Sequence, residues 1–232
     1  MSSTVTEEIE LEVGAATTSA IRYRVPGARA TLVLAHGAGA PQRHPWMVAM
    51  ARTIADHRLD LVTFDFLYAH AGRRVPDRSD VLEATWRAAL AAVRAQTQTA
   101  AQPLFVGGKS MGGRIATQVA AQGGFGQISG VVLLGYPLHP PGKPERLRAA
   151  HLPRVAVPML FVHGSRDTFG TLAELTPIVA SLPAGGTLLA IEGGDHSLAP
   201  AKRGPESLPA IMERVAREIV RFCGVEETPL AT

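Results

Sequence analysis

The stretch LFVGGKSMGGR, residues 104–114, supports two readings that lead to different chemistry. As GKS it looks like the end of a phosphate-binding loop. As GxSxG it looks like the turn that presents a nucleophilic serine. A phosphate loop needs a glycine five residues before the one that precedes the lysine, so that consecutive backbone N–H groups can curl around the phosphates. That position holds Pro103, and Leu104, Phe105 and Val106 read as a strand. The serine reading needs a strand, then Gly-x-Ser-x-Gly, then a helix, because the chains flanking the turn pass too closely for side chains. LFV supplies the strand, Gly108 and Gly112 flank Ser110, and Met111 onward supplies the helix.

A serine hydroxyl is a poor nucleophile until a histidine accepts its proton, and the histidine needs a carboxylate to fix its tautomer. In such a fold the partners follow in the order serine, acid, histidine, at the ends of later strands. Asp167 follows the apolar run PMLFVHG in HGSRD, and His196 follows TLLAIEGG in GGDHS. Asp195 and Glu192 are rivals for the acid. Chain order favours Asp167, and a carboxylate adjacent to the histidine in sequence usually points away from its ring. An oxyanion also needs donors. The N–H of Met111, at a helix start, is one; the glycine-rich HGAGAP after the first parallel strand offers Ala38, with Gly39 as the next choice.

Around this constellation, runs such as TLVLAHG, LDLVTFDF and GVVLLGYP are apolar throughout, as strands are when both sheet faces are covered. Helical spacing separates them. Trp46, Met50 and Ile54 follow Pro45; Val81, Leu82, Thr85, Ala89 and Val93 mark a second helix; Met111, Ile115 and Val119 a third; Leu208 to Phe222 a fourth. Leu172, Leu175 and Val179 suggest another, which Pro177 should shorten or kink. The alternation predicts an α/β class with a doubly wound, mostly parallel sheet and helices on both faces. EEIELEV and SAIRYRV alternate with period two and predict an antiparallel edge hairpin. The expected organisation is one domain over residues 1–232, with a core of about 21–224 and a frayed tail from about 226.

Composition narrows the function. Hydrophobic residues at 46% with 19% charged describe an ordinary globular chain. The net charge of +3 is spread without basic blocks or a nucleic-acid motif, so no nucleic-acid partner is expected. One cysteine, Cys223, permits neither an internal disulfide nor a thiolate zinc site, and eight scattered histidines without HExxH predict no metal and no cofactor. The acidic start and the lack of a long apolar run predict a soluble, cytoplasmic protein with no membrane association.

With these motifs in place the sequence resembles the α/β-hydrolase superfamily over roughly residues 21–224, and GGKSMGGR, LGYPLHPPGKPE and FVHGSRD resemble a small dienelactone-hydrolase-like branch. The resemblance implies Ser110 as nucleophile, Asp167 as acid, His196 as base and HGAGA as oxyanion loop. Dienelactone hydrolases carry a cysteine nucleophile where this chain has Ser110. Only about twenty residues follow Tyr136 before the next strand, too few for a lid domain. An open cleft is therefore expected, lined by His44, Trp46, Phe66, Tyr68, His70, Tyr136, Pro137, His139 and Phe169. His44, Tyr68, Tyr136 and His139 are the expected substrate contacts; core packing is the favoured role for Trp46. Arg73, Arg74, Lys109, Lys143, Arg146 and Arg166 offer a basic rim. The reading is a serine hydrolase of small-molecule carboxylic esters or thioesters. Acyl transfer, peptide cleavage and a non-catalytic interaction domain are the alternatives.

Overall fold

The computed structural model describes residues 4–95, 102–202, 204 and 206–225, so the tail from 226 lies outside the described residues. Two antiparallel strands, β1 (Val5–Val13) and β2 (Ala16–Arg24), form the hairpin that their period-two pattern predicts. There follow β3 (Thr31–Ala35), α1 (Pro45–Asp56), β4 (Asp60–Phe64), the one-turn α2 (Leu67–His70) and α3 (Ser79–Ala95). Next come β5 (Leu104–Lys109), α4 (Met111–Ala121), β6 (Gly130–Leu134), β7 (Met159–Gly164), α5 (Leu172–Ala180), β8 (Gly186–Ile191) and α6 (Leu208–Phe222). The eight strands make one sheet in the order β1-β2-β4-β3-β5-β6-β7-β8, parallel from β4 to β8.

The continuous apolar runs have a direct cause in this arrangement. Successive side chains of a strand point to opposite faces. Val33 and Ala35 of β3 therefore enter one core, with α3, α4 and α5, while Leu32 and Leu34 enter the other, with α1 and α6. Strands β6 and β7 divide their side chains in the same way, Val131 and Leu133 against Val132 and Leu134, Met159 and Phe161 against Leu160 and Val162. Each fully buried aliphatic side chain contributes about 1.5–3 kcal/mol, which is why both faces must be covered. The exception is β8. It reads as a covered strand, but it is the sheet's edge, and of its residues only Ile191 is buried.

Helix α5 runs through Pro177 without ending there. Its start is secured by reciprocal hydrogen bonds: Thr171 Oγ1 accepts from the Glu174 N–H at 3.2 Å, and the Glu174 carboxylate accepts from the Thr171 N–H at 2.8 Å. The connection from β6 to β7 contains one 3-10 turn (Leu152–Arg154) and no α-helix, so no helical lid rises over the sheet at this point.

Candidate active site

The carboxyl ends of β3, β5, β7 and β8 bring four loops to one edge of the sheet, where open α/β sheets bind ligands. Strand β5 ends at Lys109, Ser110 makes the turn, and α4 begins at Met111. Ser110 adopts φ 49° and ψ −115°, a conformation costing on the order of 1–3 kcal/mol for a residue with a side chain. Two backbone bonds hold it. Its N–H donates to the Leu134 carbonyl at 2.9 Å, and its carbonyl accepts from the Arg114 N–H at 3.1 Å. The flanking glycines are a steric necessity: a Cβ on Gly108 would stand 2.6 Å from the Gly112 carbonyl carbon, and one on Gly112 would stand 2.5 Å from the His36 carbonyl oxygen.

The loop after β3 lies against this turn and is pinned at both ends. His36 Nε2 accepts from the Phe66 N–H at 3.2 Å, so the ring proton sits on Nδ1 and donates to the Gly37 carbonyl at 2.7 Å. Burial pushes the His36 pKa down, which keeps that tautomer neutral. At the other end the Gln42 N–H donates to Asp65 Oδ1 at 2.8 Å. Between these anchors Gly37 bridges Ala40. Ala38 and Met111 both face the cleft beside Ser110. Gly39 does not line it; the buried Tyr68 phenol, pushed up to about 12 chiefly by burial, feels the Gly39 backbone from beneath.

Asp167 and His196 come from the ends of β7 and β8. Asp167 Oδ2 accepts from His196 Nδ1 at 2.8 Å, and Ser110 Oγ donates to His196 Nε2 at 2.8 Å. The second carboxylate oxygen of Asp167 accepts from the Phe169 N–H at 2.8 Å, and the Phe169 ring stacks on the His196 ring at 4.1 Å. Asp195 is committed elsewhere. Its Oδ1 accepts from the N–H groups of Ser197 and Ala199 at 2.7 and 3.0 Å, closing its own turn. Glu192 accepts from Ser165 Oγ at 3.3 Å.

The loop that carries His196 is held from behind by two donors. Lys109 Nζ donates to the His196 carbonyl at 2.8 Å, and Trp46 Nε1 donates to the Ser197 carbonyl at 2.9 Å. The ammonium also sits over the Trp46 ring, 5.3 Å from its centroid. Burial pushes the Lys109 pKa down to about 8, against the pull of Asp167 and Asp195. Lys109 is therefore part of the cleft wall, 7% exposed, and not a solvated rim charge.

The expected substrate contacts are corrected by the structure. His44 is exposed and caps α1, its Nδ1 accepting from the Trp46 N–H. Tyr68 is buried between Phe66 and His36. Tyr136 is buried against Phe161, and its hydroxyl donates to the Arg148 carbonyl at 2.7 Å. His139 is buried between the Pro140 carbonyl and Glu174. Tyr68, Tyr136 and His139 pack their rings into the interior and His44 caps a helix end, so none of the four lines the cleft. Phe66, His70 and Trp46 are absent from the lining as well, whereas Pro137 and Phe169 belong to it. Of the expected rim, Arg73, Arg74, Lys143, Arg146 and Arg166 are exposed and away from the cleft walls. The basic groups that do line it, beside Lys109, are Arg114 and Arg148. Spacing could have found Arg114, since it lies four residues after Ser110 and hence one helical turn above it.

The cleft has a volume of about 350 Å³, and Ser110 and His196 open into it. Among the described residues no group of three His, Cys, Asp or Glu side chains could hold a metal ion, and no helix is long and apolar enough to cross a membrane.

Residues 28–224 match the alpha/beta hydrolase domain family. Solved structures with the same fold include dienelactone hydrolase from Anabaena variabilis, with 19% identity, 94% of this chain and 98% of that chain covered, and a TM-score of 0.75. A serine hydrolase without a lid from Xanthomonas campestris has 17% identity, 97% of each chain covered and a TM-score of 0.73. An esterase from Pyrococcus furiosus has 13% identity, 95% and 91% covered, and a TM-score of 0.74. At these identities the likeness concerns the fold.

Proposed function

Because the chain belongs to the alpha/beta hydrolase domain family, and because a serine, a histidine and a carboxylate are joined at its cleft, we propose that it hydrolyses carboxylic esters or thioesters through an acyl-enzyme. The observation that carries this reading is the unbroken relay from Asp167 through His196 to Ser110, with both links at 2.8 Å.

Ser110 Oγ attacks the substrate carbonyl while His196 Nε2 takes its proton. Asp167 accepts only, so it holds the proton of His196 on Nδ1, leaves Nε2 free to act as base, and stabilises the imidazolium that forms. The N–H groups of Met111 and Ala38 receive the negative charge on the former carbonyl oxygen, the first of them aided by the dipole at the start of α4. His196 then protonates the leaving oxygen or sulfur, and the acyl group remains on Ser110. Water enters the open cleft, His196 takes one of its protons, and a second tetrahedral intermediate collapses to release the acid and restore Ser110. The strained φ of Ser110 serves this cycle by standing the hydroxyl clear of the backbone.

The test is turnover of para-nitrophenyl acetate by the wild type and by Ser110→Ala. The expected loss is several powers of ten, about 10⁶-fold where a serine-hydrolase triad has been dissected. A loss below about tenfold would mean that the hydrolysis does not run through Ser110.

A further inference from the structure

A fully buried titratable side chain borders the relay without belonging to it. His163, on β7, is 0% exposed and stands four residues before Asp167. Its Nε2 lies 2.7 Å from the Gly170 carbonyl oxygen, which can only accept, so the ring proton is on Nε2 and donates there. The same nitrogen stands 3.6 Å from Asp167 Oδ2, too far for a hydrogen bond. Nδ1 is buried and meets no hydrogen-bond partner among the described residues. By contrast, buried His36 engages both ring nitrogens, with Gly37 and Phe66, and buried His139 engages both, with Pro140 and Glu174.

A buried acceptor without a donor costs its full desolvation, and a phenylalanine would fill similar space without that cost. What offsets it lies on the other side of the ring. Gly170 ends the loop that carries Asp167 and Phe169, just before α5 begins at Leu172. The rest of this loop is tied by backbone: the Arg166 N–H donates to the Gly194 carbonyl at 2.9 Å, the Asp167 N–H to Gly164 at 3.1 Å, and the His139 N–H to Phe169 at 2.9 Å. At Gly170 the tie is the His163 side chain. Phe169 donates its N–H to Asp167 Oδ1 and stacks its ring on His196, so the placement of Gly170 reaches both the acid and the base. The carboxylate is thereby set from two sides. Phe169 takes Oδ1. The His163 ring backs Oδ2, and because the Gly170 carbonyl occupies the ring proton, Oδ2 keeps its bond to His196 Nδ1 at 2.8 Å without a competitor.

We propose that His163 is a positioning residue of the Ser110 site: its Nε2–H holds the Gly170 end of the acid loop and its ring backs Asp167, so that Oδ2 serves His196 alone. This rests on the hydrolase reading of Ser110 and deepens it. His163 does not line the cleft. It acts through Asp167 and requires one tautomer, a demand that space filling does not make.

The experiment is steady-state hydrolysis of para-nitrophenyl acetate by full-chain His163→Phe, His163→Gln and His163→Asn, with thermal unfolding of each to establish that it is folded. The amide nitrogen of Gln reaches the place of Nε2, whereas that of Asn reaches only the place of Nδ1. His163→Phe should lose about 10- to 100-fold in kcat with KM changed less than about twofold, the size of a positioning loss. His163→Gln should recover most of that loss, and His163→Asn should not. Added to Asp167→Asn, His163→Phe should change kcat by less than about twofold, because no carboxylate remains to be positioned. A loss below about tenfold in His163→Phe, a Gln variant no faster than the Phe variant, or an undiminished loss in the Asp167→Asn background overturns the proposal. Should His163→Phe not fold, His163→Asn takes its place in each comparison. Failure of the hydrolase reading has a different signature, namely no turnover above that of Ser110→Ala. The low-field proton resonance of His196 Nδ1–H, identified by its loss in His196→Gln, then decides. Its loss or displacement in His163→Phe and return in His163→Gln keep the proposal; a resonance absent from the wild type, or unchanged in His163→Phe, overturns it.

Discussion

Replacing Asp167 by asparagine should disable the site by reversing the histidine tautomer. The carboxylate has two duties: Oδ1 accepts from the Phe169 N–H and Oδ2 from His196 Nδ1, each at 2.8 Å. In Asp167→Asn the side chain has one carbonyl oxygen, and the Phe169 N–H, fixed in the backbone, demands it. The amide NH₂ group then faces Nδ1 and donates, so the ring proton moves to Nε2 and the ring can no longer accept from Ser110 Oγ. No water can mend this, because the Asp167 side chain is wholly buried. The expected fall in kcat is about 10⁴-fold, as in serine proteases given the same substitution, equivalent to about 5.5 kcal/mol of barrier. Steady-state hydrolysis of para-nitrophenyl acetate measures it. Asp195→Asn is the control. Its Oδ1 accepts from two backbone N–H groups, a duty that an amide carbonyl can keep, so the rate should stay close to that of the wild type. A loss below about tenfold in Asp167→Asn, or equal losses in the two variants, would refute the tautomer reasoning.

Two further outcomes follow from the surroundings of the site. Gly112→Ala would drive a Cβ to 2.5 Å from the His36 carbonyl and 2.6 Å from that of Ala35, so it should lower stability by more than about 4 kcal/mol in thermal or urea unfolding. Gly142→Ala meets no atom within 4 Å and should cost only the 1–2 kcal/mol or so of its left-handed backbone; equal losses at the two positions would contradict the steric account. For Lys109, the folded pKa of about 8 lies below the ordinary 10.5, so between those values the unfolded chain binds the extra proton and stability rises with pH. Wild type should therefore gain up to about 3 kcal/mol relative to Lys109→Met between pH 8 and 10.5, and parallel stability curves for the two proteins would show that burial does not depress this group.

The fold was legible because its physical causes act locally. A strand covered on both faces must be apolar at every position, so Leu32 to Leu34 or Val131 to Leu134 announce themselves in any window. The serine turn was legible because close approach of β3, β5 and α4 leaves room only for hydrogen at Gly108 and Gly112. Asp167 and His196 followed from where the strands end, and the hydrogen bonds between them agree with that placement. The cleft lining was far less legible. Tyr68, Tyr136 and His139 sit in strand-end loops, as pocket residues do, yet all three turn inward, a choice made by neighbours such as Phe161, Glu174 and the Arg148 carbonyl that are distant in sequence. Arg114 could be placed by its four-residue spacing from Ser110, but Arg148 looks like a solvated charge, because nothing in its local sequence reveals that the β6–β7 connection brings it to the same cleft. Lys109 shows the same limit in reverse: a lysine beside a glycine reads as exposed, and only the Trp46 ring and the His196 carbonyl bury it.

The central claim is that Ser110 is an activated nucleophile, and the intact mass of the protein after exposure to a fluorophosphonate probe tests it without any assumption about the substrate. Wild type should gain a single adduct, Ser110→Ala none, and Asp167→Asn should react far more slowly. Folded wild-type protein that gains no adduct, or an adduct that persists in Ser110→Ala, would contradict it.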